Sequence, residues 1–526
     1  MSEITLKIGG QLCQLGIKRL RIQQQINEIP AAQIELLIPT DNRGLSDKAI
    51  QAEISRIATG AALVVELDKK ALFTGYLTQK KMILQGKFWS ARLEARHGLQ
   101  KLAFLPHSRV FRQQDDAAIF NTLFRQSGVK LSQGAGAQLN TKHDQLVQFR
   151  ISDWYFIRHR LLSTNCWLLP EAASSSATIA PLTTPATASH TLDYHDAQSR
   201  YTLYEVNLNF DNRFIADSMT LQGWDVAQQQ LTPAQASRPE SFHPWKSESG
   251  NSQPAPTAWK QDFHLAFSNQ PESPLNTLSR SWLNHLQLSA VQGYIILEGT
   301  RDFQPGQSIK LNGFDAGLDG TALLNGVNQL FDSEQGWRSE LTIGMPATLP
   351  ETVPGVSSLH IATVAAFSAD PQHQDRIPVT LPALNLPGET LFARLSKPWA
   401  SKASGFCFYP EPGDEVVVGF IESDPRYPII LGSLHNPKNS APFPPDEKNN
   451  RKGVVVKGEN NSESLLFDTQ EKTLTLAAGE NTFSLADEGN ITFDSPESLQ
   501  VTAKEKLTLS AQSQVEITSA KINMKQ

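Results

Sequence analysis

The C-terminal end of the chain carries pairs of apolar residues that return every eight positions. In the strict part of this repeat, the first members of five pairs lie at positions 483, 491, 499, 507 and 515. Within each pair, the two apolar residues flank one polar residue. Such alternation is typical of a strand with one buried face, and its regular return indicates a repeat architecture.

Two further pairs, one before this repeat and one after it, are each out of step by a single residue. We therefore expect the apolar members of all these pairs to form one buried core. The predicted core residues are Leu474, Leu476, Phe483, Leu485, Ile491, Phe493, Leu499, Val501, Leu507, Leu509, Val515, Ile517, Ile522 and Met524.

An eight-residue unit is too short to bury its own apolar pair. It spans at most about 27 Å, whereas a one-chain solenoid needs repeats of roughly 20 residues or more. Three chains could close a triangular coil with every pair pointing inward and no long free edge. The alternative is a monomeric stack of hairpins with eight-residue arms. It is disfavoured because only Asp487–Asn490 comes close to the Asn-Gly or Asp-Gly turns that hairpins usually use.

Composition narrows the class of protein. A chain of 526 residues has room for about three or four domains. Its 40% hydrophobic and 19% charged residues argue against global disorder, and its net charge of −6 gives no reason to expect a nucleic-acid or membrane partner. The first residues lack a secretory signal pattern, and no apolar run approaches the roughly 18 residues of a membrane-spanning helix.

Motifs for catalysis or metal binding are not evident. The sequence has no P-loop, HExxH, GxSxG or CxxC signature. Cys13, Cys166 and Cys407 lie far apart and are expected to be buried free thiols, with Cys407 in an apolar strand. We therefore expect no catalytic residue, no cofactor and no metal site.

Two clusters of ionisable residues resemble possible sites. The acids of the PEPGDEV stretch are better explained by a solvated turn than by paired catalytic carboxylates. A second group matches no structural-zinc spacing and follows a loose loop. The PEPGDEV cluster consists of Glu411, Asp414 and Glu415. The second cluster consists of His190, Asp193, His195 and Asp196.

Residue patterns divide the chain into β-rich regions joined by helices, loops and linkers. We predict helices at Asp115–Gln126, Ser152–Ser163 and 275–289. Low-complexity composition predicts a surface loop at Glu171–His190 and a loose stretch at Gln228–Pro256. Linkers are predicted at Met345–Gly355 and His435–Gly453.

One internal similarity suggests two related β-barrels, although chance likeness between two hairpins is the alternative. Segments beginning at Gly60 and Pro305 share Ala-Leu, a two-residue gap and Gly, followed about ten residues later by Gly, Trp and Leu. The matched residues are Ala71, Leu72, Gly75, Gly86, Trp89 and Leu93 in the first segment, and Ala322, Leu323, Gly326, Gly336, Trp337 and Leu341 in the second.

The stretch Lys397–Asn439 resembles the small oligonucleotide-binding (OB)-type barrel of the VgrG and tailed-phage hub-spike family. The resemblance is carried by Pro398–Ala400, Gly405, the run PEPGDEVVV from Pro410 to Val418, and Asp424–Asn436. Arg376–Pro382 is similar to the preceding strand of the family, and weaker likeness extends upstream.

The resemblance implies a fold that is mainly β, with a homotrimeric assembly. We expect a hub region at 1–350, with two similar β-barrels at about 1–110 and 265–345 and a helical and strand insert between them. An OB-type barrel neck at 356–436, a linker at 437–453 and an intertwined trimeric β-helix at 454–526 should follow. Nucleic-acid binding does not follow from the barrel fold.

The resemblance also implies partners. The trimer would cap a hexameric inner-tube protein, contact baseplate and hub proteins, carry effector cargo and meet a target membrane only on puncture. Because no histidine follows His435, an iron-binding tip is not expected, and a PAAR-like tip protein should contact Ile522 and Met524.

Assembly in the bacterial cytoplasm, followed by incorporation into an extracellular or secreted phage-tail-like particle, is the expected localisation. A type VI VgrG, or a phage hub-spike carrying an effector or murein-degrading activity, remains an alternative. A receptor-binding tail fibre and a nucleic-acid-binding barrel protein are weaker alternatives.

Overall fold

A computed structural model describes most of the chain. The described residues are 3–39, 48–86, 88–194, 199–211, 213, 215–237, 242–247, 262–267, 272–314, 318–346 and 355–524. Two compact units, Met1–Leu434 and His435–Gln526, make up the chain. Among the described helices, none has both the length and the apolar character needed to cross a membrane.

The N-terminal part of the first unit is a set of antiparallel strands around one core. Alternation places Ile34, Leu36 and Ile38 on the buried side of the fourth strand, as expected for a sheet with one covered face. The elements are β1 (Ile4–Ile8), β2 (Gln11–Leu12), β3 (Gly16–Gln25), β4 (Ala31–Ile38), α1 (Lys48–Arg56), β5 (Ala62–Leu67), β6 (Lys70–Gln85) and β7 (Phe88–Arg96).

An insert of helices and short strands follows. Its elements are α2 (Gln100–Ala103), β8 (Pro106–Phe111), β9 (Gln114–Asp115), α3 (Asp116–Ser127), β10 (Lys130–Gln133), β11 (Lys142–His143), β12 (Leu146–Ser152), α4 (Asp153–Ser163), β13 (Cys166–Glu171) and β14 (Ser176–Pro181). Both helices predicted in this region are confirmed as α3 and α4, and the Asp115 and Ser152 side chains cap them by accepting hydrogen bonds from their first turns. The surface loop predicted at Glu171–His190 is wrong in part, because β14 pairs with β13 and β10.

The last part of the hub completes the sheet. Its elements are β15 (His190–Asp193), β16 (Leu203–Phe210), β17 (Ser218–Asp225), β18 (Gln230–Ser237), β19 (Trp245–Ser247), β20 (Asp262–Phe267), α5 (Glu272–Gln287), β21 (Val291–Glu298), β22 (Ser308–Asn312), β23 (Gly320–Asp332) and β24 (Gly336–Ile343). The predicted third helix is confirmed as α5, which packs on β17 and β18.

Two predictions of irregular structure need correction or fall outside the described residues. The loose stretch predicted at Gln228–Pro256 contains β18 and β19, since backbone pairing with β17 and β23 overrides its polar composition. Its positions 238–241 and 248–256 lie outside the described residues, as do positions 347–354 of the linker predicted at Met345–Gly355.

The two predicted hub barrels are halves of one 14-stranded sheet, and each half has its own apolar core. The main path runs β16-β21-β24-β23-β3-β4-β7-β6-β5-β1-β2. The second half takes β16 from outside the predicted range of about 265–345. The internal similarity falls on equivalent hairpins, β6-β7 and β23-β24, with Leu93 and Leu341 buried in the two cores.

A closed five-stranded barrel in the order β25-β26-β27-β31-β30 occupies the predicted neck region. Its elements are β25 (His360–Val364), β26 (Arg376–Thr380), β27 (Leu391–Leu395), β28 (Ala400–Ser401), β29 (Ser404–Gly405), β30 (Glu415–Phe420) and β31 (Pro428–Leu434), with 3₁₀ turns at Pro382–Leu384 and Ile421–Ser423. Val379, Leu391 and Val418 are among the fully buried residues of its core.

The C-terminal unit is an antiparallel meander of five strands. They are β32 (Arg451–Lys457), β33 (Ser462–Asp468), β34 (Thr473–Ala478), β35 (Asn481–Ala486) and β36 (Ile491–Asp494). The single chain therefore forms, over these residues, the stack of hairpins that the sequence argument disfavoured. Asp487–Asn490 does form one turn, with Gly489 at φ +90°. The predicted linker at 437–453 ends early, since β32 begins at Arg451, and residues 495–524 form no strand within this chain.

Gly75 is a position where the close approach of neighbouring groups excludes a side chain. A Cβ built there would lie 2.4 Å from the Arg96 carbonyl oxygen and 2.8 Å from the Phe73 ring. We expect Gly75→Ala to destabilise the protein by about 1–3 kcal/mol, because the β6-β7 pair must separate. Thermal unfolding would measure this, with Gly16→Ala as the control because its Cβ meets nothing within 4 Å. An equal effect of the two variants would contradict the packing described for β6.

Candidate assembly site

The meander of the C-terminal unit presents one apolar face. Its strand register places apolar residues directly opposite one another in two rows across the strands. We call these residues the apolar face: Val454, Leu465, Leu476, Phe483 and Phe493 in the first row, and Phe467, Leu474, Leu485 and Ile491 in the second. The rings of Phe483 and Phe493 stack with centroids 4.7 Å apart.

The other face of the same sheet is mainly polar. Thr475 lies opposite Ser484, their hydroxyls 3.4 Å apart, and Thr492 continues the row. Ser464 and Thr482 lie in the neighbouring row. The sheet is therefore amphipathic, so that one face is suited to water and the other requires a cover.

No residue of the predicted repeat core is buried within the single chain. On the apolar face, Ile491 and Phe493 are 63% and 64% exposed. The pairs from Leu499 to Ile517 are also exposed, and Met524 is 92% exposed. Contiguous apolar surface of this kind marks an interaction site in a folded protein.

Sequence reasoning missed the beginning of the apolar face. Val454, Leu465 and Phe467 belong to it, although they precede the first predicted pair. Their spacing differs from the eight-residue period of the predicted repeat. Directly opposed residues in this part of the first row, Val454, Leu465 and Leu476, are eleven positions apart. Runs such as Val454–Val456 and Leu465–Phe467 also interrupt the apolar-polar alternation.

A second candidate feature is the joint between the insert and the neck barrel within the first unit. Val147 and Phe149 of β12 pack in the same apolar cluster as the barrel core. Gln145 accepts a hydrogen bond from the Phe392 amide at 3.0 Å and donates one to the Arg426 carbonyl at 3.3 Å. The Arg150 side chain donates to the Ala383 carbonyl at 2.8 Å. The barrel is thus held to the hub by both apolar packing and directional hydrogen bonds.

Ion pairs at the joint reinforce it. The buried Arg376 guanidinium contacts Asp370 at 2.6 Å and Asp144 of the insert at 3.2 Å. Burial by itself raises the pKa of Asp370, but hydrogen bonds from Arg376, Gln372 and Gln374 outweigh it and lower the pKa to about 2. Asp370 therefore remains a carboxylate at any physiological pH.

A buried charged cluster in the insert joins α3 to α4. Asp116 receives hydrogen bonds from Arg160 at 2.7 and 3.0 Å, and its Oδ2 lies 2.8 Å from His143 Nε2. Burial alone raises the pKa of Asp116, yet the positive charge of Arg160 and the hydrogen bonds from His143 and Arg160 lower it to about 2. Breaking a buried pair of this kind leaves an uncompensated charge.

The described residues of the two ionisable clusters have partners that explain their positions. His190 Nε2 lies 3.1 Å from the Asp302 carbonyl oxygen, its Nδ1 lies 3.1 Å from the Tyr201 hydroxyl, and Asp193 accepts from Asn312. His195 and Asp196 lie outside the described residues, among which no metal-binding cluster occurs. The turn predicted at PEPGDEV is present, since the Glu411 amide donates to the Asp414 carboxylate at 2.8 Å.

The prediction that Cys407 is a buried core residue is wrong. Cys13 and Cys166 are buried as expected, and burial raises the pKa of both thiols to about 11. Cys407 is exposed and follows β29 in irregular backbone, because the barrel closes through β30 and β31 instead. The neighbouring aromatic residues Phe406 and Phe408 are exposed with it.

A groove of about 720 Å³ crosses the hub sheet where β3 meets β23. Its acidic residues are already paired with arginines. Arg19 lies 2.9 Å from Asp332, and Arg92 lies 3.7 Å from Glu35. These pairs explain the charged lining as a property of the sheet surface rather than of a reaction centre.

Comparison with known proteins places the chain in a family. The Alg8 N-terminal domain family matches residues 2–332, and the type VI secretion system/phage-baseplate injector OB domain matches residues 360–435. The chain is 22% identical over 382 residues to the type VI secretion system spike protein VgrG3 of Vibrio cholerae. The chain belongs to the VgrG and phage hub-spike family, with an Alg8-type N-terminal region.

Two further comparisons define how far the likeness extends. A Vibrio cholerae relative named actin cross-linking toxin VgrG1 is 22% identical over 377 residues. The matches to these two relatives cover 66% of this chain. They cover only 36% and 33% of the relatives' own length. A chain of the Francisella PdpA-VgrG complex has the same fold, with a TM-score of 0.58 and 10% identity, over 94% of this chain and 88% of that one.

Acid sensitivity would test the cluster in the insert. Asp116→Asn removes the charge that balances Arg160, and we expect about 3–5 kcal/mol of destabilisation at pH 7. Because the folded state holds the pKa of Asp116 at about 2, below its ordinary value of 3.8, this stabilisation is complete above pH 3.8. The part linked to this pKa shift, about 2 kcal/mol, should be lost as the pH falls through 2, so that the difference between the original protein and the variant narrows. Denaturant unfolding across this pH range would measure the difference.

Asp115→Asn is the matched control for this experiment. Asp115 is the adjacent residue and the N-cap of α3, and asparagine can accept the same hydrogen bond from Ala118. We expect it to change stability little at any pH. A difference between Asp116→Asn and the original protein that persisted unchanged near pH 2 would argue against the electrostatic explanation.

Proposed function

We propose that this chain is the central spike of a contractile injection apparatus, acting as a homotrimer without chemical catalysis. The observation that carries the proposal is the apolar face, which the single chain leaves uncovered, followed by exposed apolar pairs up to Met524. Three copies can direct these surfaces toward a common axis, where each covers the apolar residues of the other two. Family membership supports the same function, since VgrG3 is a spike protein.

Mutual burial would supply both the association and the mechanical resistance of the spike. Covering one large apolar side chain is worth roughly 1.5–3 kcal/mol. Separating three interlocked chains exposes many such residues together, so the resistance to unfolding is shared among the chains. In residues 495–524, which form no strand in the single chain, backbone pairing would come from neighbouring copies in an intertwined β-helix.

The hub would contact the inner tube. Its two sheet halves give a trimer six similar surfaces, which suits a hexameric inner-tube protein. The joint made by Gln145, Arg150 and Arg376 would carry thrust from the hub to the neck when the sheath contracts. Baseplate and hub proteins are further expected partners, and we propose no nucleic-acid partner.

The exposed residues Ile522 and Met524 would contact a PAAR-like tip protein. Effector cargo is a further proposed partner, and the target membrane would be met only on puncture. The proposed assembly takes place in the bacterial cytoplasm, and the particle then acts outside the cell or as part of a secreted structure.

The alternative function is a type VI VgrG or phage hub-spike that carries an effector or a murein-degrading activity. It is favoured by the toxin name of one relative and by the limited share of the curated relatives that the chain matches. A murein zymogram and an actin cross-linking assay of the purified chain would distinguish the two. We expect no activity in either assay, and a positive result would favour the alternative.

Native mass measurement of the full chain and of a truncation ending at Leu434 tests the spike directly. We expect a trimer for the full chain. A double variant, Phe483→Ser with Phe493→Ser, should weaken the trimer at least about tenfold, because it removes two large residues from the apolar face. The matched control is Thr475→Ala with Ser484→Ala on the polar face of the same sheet, which should leave the trimer intact.

Each outcome has a clear meaning. A trimer that is lost or weakened on removal of residues after Leu434 supports the C-terminal unit as the assembly element. A full chain that is monomeric at micromolar concentration would refute the proposed spike. Equal weakening by the apolar-face and polar-face variants would show that the apolar face is not the contact surface.

A further inference from the structure

A cavity of about 390 Å³ lies within the first unit, between helix α5 and the insert. Its walls come from α5, from the turn between α4 and β13, and from the end of β14 with residues that follow it. We call it the α5 cavity and define it by Asn165, Thr184, Phe242, Arg280 and Asn284. Its volume is within the range of sites that hold small ligands.

Helix α5 divides its residues between an apolar core and this cavity. Leu278 and Leu286 pack in the cluster that α5 forms with β17 and β18. Thr277, Arg280 and Asn284 are three and four positions apart, and all three line the cavity. Residues at this spacing lie on one side of a helix, so these polar side chains can act on the same ligand.

The α5 cavity carries one uncompensated positive charge. The exposed Arg280 makes no hydrogen bond or ion pair with a described residue, and no described lining residue is acidic. The other ionisable side chain in the described lining is Cys166. Burial raises the pKa of its thiol to about 11, which keeps it neutral at pH 7. One guanidinium balances one negative charge, and its planar fork matches a carboxylate.

Asn284 has a buried acceptor that no described residue satisfies. The residue is 2% exposed, and its Nδ2 donates to Asn165 Oδ1 at 3.2 Å. The turn that carries Asn165 is held in place, because the Leu182 amide donates to the Asn165 carbonyl at 2.9 Å. No described group donates to Asn284 Oδ1. Buried acceptors nearly always have a donor, so this wall is suited to an N–H or O–H group of a ligand.

Two further parts of the wall add a donor and an apolar surface. The Thr184 hydroxyl oxygen accepts a hydrogen bond from the His243 amide at 3.0 Å, and no described group accepts the hydroxyl hydrogen. Leu182 and Phe242 belong to one buried apolar cluster. The cavity therefore combines a cation, a hydroxyl donor, an unsatisfied acceptor and an apolar wall.

We propose that the α5 cavity binds a carboxylate ligand that also carries an N–H donor and an apolar side chain. The carboxylate accepts hydrogen bonds from Arg280 and Thr184, the N–H group donates to Asn284 Oδ1, and the side chain packs on the apolar wall. The C-terminal residue of a polypeptide and a free N-acylated amino acid share this chemistry. A phosphate dianion fits less well, because the described lining has one cation. The inference does not depend on the trimer of the proposed function.

Binding of two small probes to the full chain tests this site. N-acetyl-leucine carries all three groups, and N-acetyl-leucinamide lacks only the carboxylate. We expect the acid to bind at millimolar concentration or below, and more tightly than the amide, in saturation-transfer NMR and calorimetry. Arg280→Gln should weaken binding of the acid at least about tenfold, because a hydrogen bond to a charged group is lost. It should leave binding of the amide unchanged, whereas a purely structural effect would weaken both.

Arg125→Gln is the matched control, since Arg125 is also an exposed arginine on a helix but does not line the cavity. We expect this variant to bind both probes as the original protein does. Asn284→Leu removes the acceptor and should weaken binding of the acid and the amide alike, because both probes carry the N–H donor. Circular dichroism of every variant checks that it is folded.

Failure of N-acetyl-leucine to bind at millimolar concentration would overturn the proposal and indicate a cavity that holds only water. Equal binding of the acid and the amide, or equal effects of Arg280→Gln and Arg125→Gln, would overturn the carboxylate contact. A monomeric full chain that binds the acid would refute the spike and leave this proposal standing.

A longer peptide that ends in leucine distinguishes the two sources of the ligand. Binding as tight as that of N-acetyl-leucine would support the end of a polypeptide as the ligand. Much weaker binding of the longer peptide, with binding of N-acetyl-leucine retained, would support a free acid.

Discussion

Uncovered apolar surface in the C-terminal unit is the constraint on which the proposed assembly depends. The register of β32 to β36 collects Leu476, Phe483 and Phe493 in one row on one side of the sheet, while Thr475 and Ser484 lie on the other. A two-faced sheet of this kind is stable in water only when another surface covers it. In the proposed trimer, other copies of the same chain would meet this requirement with the same residues, so that one repeated sequence would serve as its own partner.

The hub depends on a different constraint, which is that the edges of its strands need hydrogen-bonding partners. Within a chain, β23 pairs with β3 and joins two equivalent half-sheets, each with its own core. The neck barrel has no comparable problem because its five strands close on themselves. Buried ions then fix the joint, since Arg376 contacts acids from both the barrel and the insert. Paired edges and paired charges together suit the proposed spike, which would have to transmit force.

Much of this organisation could be predicted from local sequence. The helices α3 and α4 begin directly after Asp115 and Ser152, because a short polar side chain satisfies amide groups of the first turn, a purely local interaction. The OB-type barrel was predicted from a dense motif. Strands in low-complexity sequence, such as β14 and β18, were missed because their composition does not show the backbone pairing that stabilises them. β14 pairs with β10 and β13, and β18 pairs with β17. The exposure of Cys407 was missed for a similar reason. Strand pairing in the barrel decides which segments belong to it, and the segment with Cys407 is not one of its five strands.

The sequence by itself determined the periodicity of the tail, the likeness between the β6-β7 and β23-β24 hairpins, and the family. Periodicity and motifs depend on neighbouring residues, so they can be read along one chain. Only the tertiary structure decided that Val454 and Phe467 belong to the apolar face, that the first repeats form a meander, and that the two half-sheets join through β3 and β23. These features depend on strand register, which is set by pairing between residues far apart in sequence.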